Sequence, residues 1–349
     1  MENIEIAGRK IGPGHPVFIV AEAGVNHNGN LEMAKQLADA ALEAGADAVK
    51  FQTFKSERLV SISAPKAFYQ LKETEPRESQ FAMLKRLELS FSDFRNLSNY
   101  CQKKKILFFS TPFDKESLDF LNELDVPVFK IGSGEITNLP FLEYAARKRK
   151  PIILSTGMSQ LDEIEQAVRI IRDVGCNQLV LLHCVSDYPA DPAEVNLRAI
   201  KTMIESFKLP IGYSDHTVGV DIAIAAVAVG ACVIEKHLTI DQTLPGPDHR
   251  ASLEPGEFKM MVTKIRTVEL ALGHGRKVPT ASELENRKII GRSLAAALDI
   301  PQGTVLVSNM LQALRPATGI SPAEIMTVVG RRVKRSLKSG QLVHWDDLE

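Results

Sequence analysis

Long hydrophobic runs are missing from this chain. The longest, Ile222 to Ile234, is bounded by Asp221 and Glu235 and is too short to cross a bilayer. An excess of either charge is missing too: 42 Lys plus Arg face 43 Asp plus Glu, and no aromatic-basic cluster breaks the balance. Such a surface has no electrostatic footprint for nucleic acid. Cysteine is scarce, with only Cys101, Cys176, Cys184 and Cys232 and no CxxC pair. That excludes a disulfide framework or a closed cysteine zinc site and suits free thiols in a reducing compartment. The opening stretch MENIEIAGRK has no apolar segment of signal-peptide type, so a cytoplasmic location is expected. Neither HExxH nor, after the first strand-like run, GxGxxG occurs.

What is present is a repeated grammar. From Pro16 to about Gly273, a β-branched or aromatic run is followed eight times by polar residues and then a helical-period segment. The runs are 17–21, 48–52, 106–110, 128–131, 152–154, 179–183, 210–213 and 232–235. Helix-like stretches such as 31–44, 115–124, 160–174 and 218–229 lie between them. Continuous apolar strands alternating with amphipathic helices indicate a parallel sheet covered by helices. Eight such units over this length predict an α/β fold of the (β/α)8 TIM-barrel type rather than an open doubly wound sheet.

Two regions fall outside the repeat. Phe54 to Leu89 is long and polar and follows the second strand, where it could act as a lid or be a surface excursion. Past Gly275, strand-like pieces (SLAAALDI, VGRRVKRSL) alternate with Gly and Pro turns, predicting a small β-rich domain with little core of its own. The expected boundaries are a barrel over 1–279, a linker over 280–290 and the small domain over 291–349.

Active sites of such barrels lie at the C-terminal ends of the strands. Those positions hold Glu22, Lys50, Gln52, Thr111, Lys130, Ser133, Glu135, Ser155, Ser186, Tyr188, Ser214, His216 and His237. Two lysines with several hydroxyls suit a phosphorylated anion. His216 in GYSDHT and His237 in VIEKHLT each follow a short buried run, with one helix length between them. Parallel neighbouring strands would set both imidazoles side by side, as ligands for Mn²⁺, Zn²⁺ or a similar ion. Lys236 should point the opposite way from His237 and is read as structural. His183 and His27 are also read as structural. Asp248, in the loop PGPDH, is a candidate for substrate hydroxyls, and Arg315 stands out in LRPATG.

The ordered phrases FIVAEAGVNHNG, ADAVKFQTF, FFSTPFD, FKIGSGEITNLP, ILSTGM, HCVSDYP, GYSDHT, EKHLT and PGPDH resemble the sialic acid synthase family. RSLAAA and LRPATG resemble its antifreeze-like (SAF) domain. The resemblance implies a transferase that condenses phosphoenolpyruvate with an N-acylated mannosamine-type sugar and works as a domain-swapped homodimer. It also implies a divalent ion on His216 and His237, with Mn²⁺ placed before Co²⁺ or Mg²⁺. It places Lys50, Thr111, Lys130, Ser133, Ser155, Ser186 and Ser214 around phosphoenolpyruvate, although some members have Asn where Ser186 stands. Glu22, Gln52, Glu135, Tyr188 and Asp248 fall around the sugar and reacting carbons, and Arg315 would arrive from a partner subunit. Glu135 is the first choice for handling protons and Glu22 the second. N-acetylmannosamine is the first choice of sugar, with 2,4-diacetamido-2,4,6-trideoxymannose the alternative. Two rival readings are a Schiff-base aldolase using Lys130 and a catalytically silent sugar-phosphate binding protein.

Overall fold

The computed structural model describes residues 3–67, 70–71, 74–75 and 77–349. They divide into two compact units, Met1–Gly273 and His274–Glu349.

The first unit opens with a hairpin of β1 (Ile4–Ile6) and β2 (Arg9–Ile11). Eight strands then form one sheet: β3 (Phe18–Gly24), β4 (Ala48–Thr53), β5 (Leu107–Pro112), β6 (Phe129–Ile131), β7 (Ile152–Ser155), β8 (Leu179–Cys184), β9 (Ile211–Asp215) and β10 (Val233–His237). The order is β5-β4-β3-β10-β9-β8-β7-β6, every pairing is parallel, and β5 lies against β6, so the sheet is a nearly closed barrel. The predicted TIM-type barrel is therefore the observed fold. Several strands run further than the apolar pattern suggested, because their last residues are the polar ones that line the barrel mouth. β9, for example, continues through Ser214, which lines the mouth, to Asp215, which faces away from it.

The helices bury one face each against this sheet. In the helix Leu31–Glu43, Ala34, Leu37, Ala38 and Ala41 are buried at helical spacing. Its start is set by Asn30, whose side chain accepts the free Glu32 and Met33 N–H groups. Asp114 starts the helix Lys115–Glu123 in the same way through Ser117 N.

The segment after β4 is part of the mouth. The short helix Ser56–Leu59 and the helix Gln80–Leu87 bring Leu59, Met83, Leu84 and Leu87 into one cluster with Val25, Phe54 and Phe113. Residues 68, 69, 72, 73 and 76 of that segment lie outside the described residues.

In the second unit, β11 (Ser293–Ala296) pairs antiparallel with β12 (Leu311–Leu314). The stretch VGRRVKRSL is not a regular strand; single bridges such as Val305↔Arg332 and Ile300↔Leu337 tie it in. This unit also has more core than its length suggested. Leu294, Ile300, Leu306, Val333, Leu337 and Val343 belong to one buried cluster of its own. A helix occupies Ala281–Ile290, capped by Thr280 and Glu283, within the stretch read from sequence as linker.

Candidate active site

The strand ends converge on a cavity of about 390 Å³, ample for two small polar substrates. Glu22, Lys50, Gln52, Thr111, Lys130, Ser133, Ser155, Ser186, Tyr188, Ser214, His216, His237 and Asp248 all line it. Each comes from a strand end or the loop that follows. A register shift between Glu22 and Gly24 locally irregularises β3, where Gly24 adopts φ +52°. A side chain at Gly24 would crowd Glu22 Oε1 and Gln52 Nε2, each 3.3 Å from an ideal Cβ.

The floor is a buried charge network. Lys50 Nζ lies 2.8 Å from Glu22 Oε1 and donates to Thr111 Oγ1 at 3.0 Å. Gln52 Nε2 donates to the same Glu22 oxygen at 3.2 Å. A residue that the sequence reading passed over sits at the centre. Glu235 Oε1 lies 3.2 Å from Lys130 Nζ and 3.8 Å from Lys50 Nζ, and accepts from Ser214 Oγ at 3.0 Å. Strand alternation would have found it, since Glu235 is two residues before His237 and must face the same way. Burial alone would lift the Glu235 carboxyl, but Lys130 and Lys50 outweigh it and hold it below its usual range. Burial raises Glu22, helped by the Glu235 charge and opposed by Lys50. Burial also pushes the Lys130 ammonium down, and Lys50 adds to that against the raising effect of Glu235.

Next to the lysines, Ser133 Oγ accepts from Gly157 N at 3.0 Å and lies 3.3 Å from Cys184 Sγ. A Cβ at Gly157 would stand 2.4 Å from Ser186 Oγ and 3.0 Å from Ser133 Oγ. Gly157, in ILSTGM, therefore keeps open a cradle of hydroxyls and backbone beside two cations.

The two imidazoles are adjacent, with ring centres 5.4 Å apart, and Tyr188 packs 4.0 Å from the His216 ring. His216 Nδ1 meets the Val185 carbonyl at 2.6 Å, which makes Nδ1 the protonated nitrogen, while Nε2 lies 3.5 Å from Ser214 Oγ. Desolvation takes His216 down to about 4 and His237 well below its ordinary value, so both rings are neutral at physiological pH. His237 Nδ1 is buried with no hydrogen-bond partner, 3.9 Å from Asp248 Oδ2. Two neutral imidazoles with adjacent rings, one carrying an orphaned nitrogen, fit a divalent ion. Among the described residues no three His, Cys, Asp or Glu side chains form a metal cluster. Burial lifts Asp248 to about 7, with the Glu22 charge adding and Lys50 opposing.

Glu135 does not line the cavity; it is half-buried in the 3-10 turn Ser133–Glu135 and accepts from Asn138 Nδ2 at 2.6 Å. Burial raises its carboxyl. Arg315 belongs to the second unit, exposed beyond β12. His183 Nε2 donates to Val195 O at 2.7 Å, and His27 Nδ1 accepts from Gly29 N at 3.0 Å, both structural roles. The upper wall is apolar, formed by Leu59, Val60, Ala67, Met83, Leu84 and Leu87, with Gln70 and Gln80 among them.

A (β/α)8 barrel whose mouth joins two buried lysines, a hydroxyl cradle and two neutral imidazoles is an enzyme that handles an anionic substrate. Comparison with known proteins gives the family. Residues 37–277 match the NeuB family and residues 291–349 the SAF domain. An N,N'-diacetyllegionaminic acid synthase of Legionella pneumophila is 48% identical over 95% of this chain and 94% of its own. One from Campylobacter jejuni is 49% identical over 93% of this chain and 98% of its own. The crystal structure of an N-acetylneuraminic acid synthetase from Leptospira borgpetersenii superposes with a TM-score of 0.74 at 42% identity, covering 82% of this chain and 95% of that one. The chain belongs to the NeuB family, the sialic acid synthase family, and is an enzyme of the nonulosonic acid synthase class. No helix among the described residues is long and apolar enough to cross a membrane.

Proposed function

We propose that this enzyme condenses phosphoenolpyruvate with the open-chain aldehyde of 2,4-diacetamido-2,4,6-trideoxymannose, releasing phosphate and N,N'-diacetyllegionaminic acid. The observation that carries the reading is the joining, in one cavity, of Lys50 and Lys130 with the adjacent imidazoles of His216 and His237. Lys50, Lys130, Thr111 and the Ser133–Ser155–Ser186–Ser214 hydroxyls bind the carboxylate and phosphate. This fixes C3 of the enol against the aldehyde carbon. A divalent ion on His216 and His237, Mn²⁺ in our reading, supplies Lewis acidity toward the aldehyde oxygen. C3 attacks the aldehyde, water adds at C2, and the C–O bond to phosphate breaks. Of the two water protons, one ends on the former aldehyde oxygen and the other on phosphate. Glu22, buried and raised, is the carboxyl inside the cavity suited to carry the first; Glu135 at the rim is the second choice. Gln52, Tyr188 and Asp248 hold sugar hydroxyl and amide groups.

The apolar wall of Leu59, Val60, Met83 and Leu84 supports the doubly acylated, 6-deoxy sugar over N-acetylmannosamine. A C6 methyl and a second acetamido methyl have apolar partners there, whereas a C6 hydroxyl would lose hydration. The names of the Legionella and Campylobacter relatives agree. We further read residues 1–279 as the catalytic barrel, 280–290 as linker and 291–349 as the SAF domain. Arg315 then reaches the sugar's N-acyl group in a domain-swapped partner, and the enzyme acts in the cytoplasm.

The test is a Mn²⁺-supplemented assay offering each sugar separately. We expect kcat/KM to favour the diacetamido sugar by roughly tenfold or more, the discrimination that one or two apolar groups allow. Preference for N-acetylmannosamine would overturn the acceptor assignment.

A further inference from the structure

Behind the two histidines, on the opposite face of the same strands, lies a second charged pair. β9 and β10 are in register with Ser214 opposite Glu235 and Asp215 opposite Lys236. Side chains alternate along a strand. Ser214 and Glu235 meet inside the cavity, Asp215 and Lys236 meet outside it, and His216 and His237 return to the cavity.

The outer pair is completely enclosed. Lys236 Nζ lies 2.7 Å from Asp215 Oδ2, and both side chains have 0% exposure. Lys236 Nζ also donates to the Thr217 carbonyl. Asp215 Oδ1 accepts from Thr217 N at 3.0 Å, from Thr217 Oγ1 at 2.8 Å and from Tyr213 OH at 3.3 Å. Both neighbours of His216 are thus tied to the residue that precedes His237. A fully buried ion pair is a poor source of stability, because desolvation consumes most of its attraction and apolar residues pack as well.

His216 has its own anchor, the Val185 carbonyl. His237 Nδ1 meets no hydrogen-bond partner, and the nearest carboxylate, Asp248 Oδ2, is 3.9 Å away. The orientation of His237 relative to His216 therefore depends on the backbone of β10, and Lys236 is where that backbone is fastened to the His216 loop.

We propose that the Lys236–Asp215 pair is a positioning device that sets the separation of the His216 and His237 imidazoles for a divalent ion. It rests on the metal reading above. Neither residue is catalytic, since neither faces the cavity.

The test is calorimetric titration of the metal-free, full-length protein with Mn²⁺. It uses the parent, Lys236→Met, Asp215→Asn, and the core control Leu121→Ala, whose side chain is fully buried on the helix Lys115–Glu123. Each is titrated at a temperature where circular dichroism shows it folded. Lys236→Met and Asp215→Asn should raise the Mn²⁺ Kd by about 10- to 100-fold, the usual cost of losing an outer support of a metal ligand. Leu121→Ala should lower Tm and leave Kd within about twofold, because it is remote from the site. If Lys236→Met does not fold, the isosteric Asp215→Asn decides the matter. Unchanged Kd in the folded variants, or an equal rise in Leu121→Ala, would overturn the proposal. A parent that binds no Mn²⁺, or full binding by His216→Ala and His237→Ala, would overturn the metal reading itself, and this inference with it.

Discussion

Replacing Lys130 by methionine is expected to lower kcat/KM roughly a thousandfold, with circular dichroism unchanged. Lys130 is 4% exposed, so its contact with a bound anion is made largely out of water. Truncating one partner of such a charge pair costs about 2 to 5 kcal/mol, or between one and four powers of ten. Lys50 stays in place with Glu22 at 2.8 Å and Thr111 at 3.0 Å, so the cavity keeps one cation and binding weakens without vanishing. Lys130→Arg separates this electrostatic role from a covalent one. Arginine keeps the charge and should restore part of the activity, whereas a Schiff-base mechanism would leave both variants equally inactive. Borohydride added with either substrate should leave the mass of the parent unchanged.

Glu235→Gln is the second large effect, and its signature is in the pH profile. Glutamine keeps an oxygen for Ser214 Oγ but removes the negative charge 3.2 Å from Lys130 Nζ. Burial already pushes Lys130 below its ordinary value, Lys50 pushes it further, and Glu235 is the largest influence raising it. Without that charge the ammonium loses its proton at lower pH. The alkaline limb of kcat/KM should move down by about one unit or more, the scale of a close charge pair at partial burial. The loss against parent should therefore be smallest on the acid side of the profile and should grow as pH rises. A profile parallel to the parent would show that Glu235 has no hold on the lysine.

The barrel was legible because apolar strands and amphipathic helices differ in period, and that difference survives in a single sequence. His216 and His237 were legible for the same reason, as each follows an apolar run with one helix between. Glu235 reads in the sequence as the charged boundary of the apolar run 222–234, although its parity with His237 places it inside. Gly157 carries no side chain to attract notice, and its importance rests on three neighbours: Ser133 from the turn after β6, Cys184 from β8 and Ser186 from the loop after it. The wall from residues 54–89 was not legible because Leu59, Met83 and Leu84 sit at irregular spacing in a polar segment. Only the fold gathers them against Val25 and Phe113. Glu135 was placed among the catalytic residues by its motif, yet its turn carries it off the cavity wall toward Asn138.

The central claim is that carbon–carbon bond formation at this cavity is coupled to C–O cleavage of phosphoenolpyruvate. Its most direct test uses phosphoenolpyruvate labelled with ¹⁸O at the bridging oxygen, incubated with the Mn²⁺-loaded enzyme and the diacetamido sugar. The account predicts that the label leaves quantitatively in inorganic phosphate, and that none is released without the sugar. Label retained in the sugar acid, or phosphate released without sugar, would contradict it.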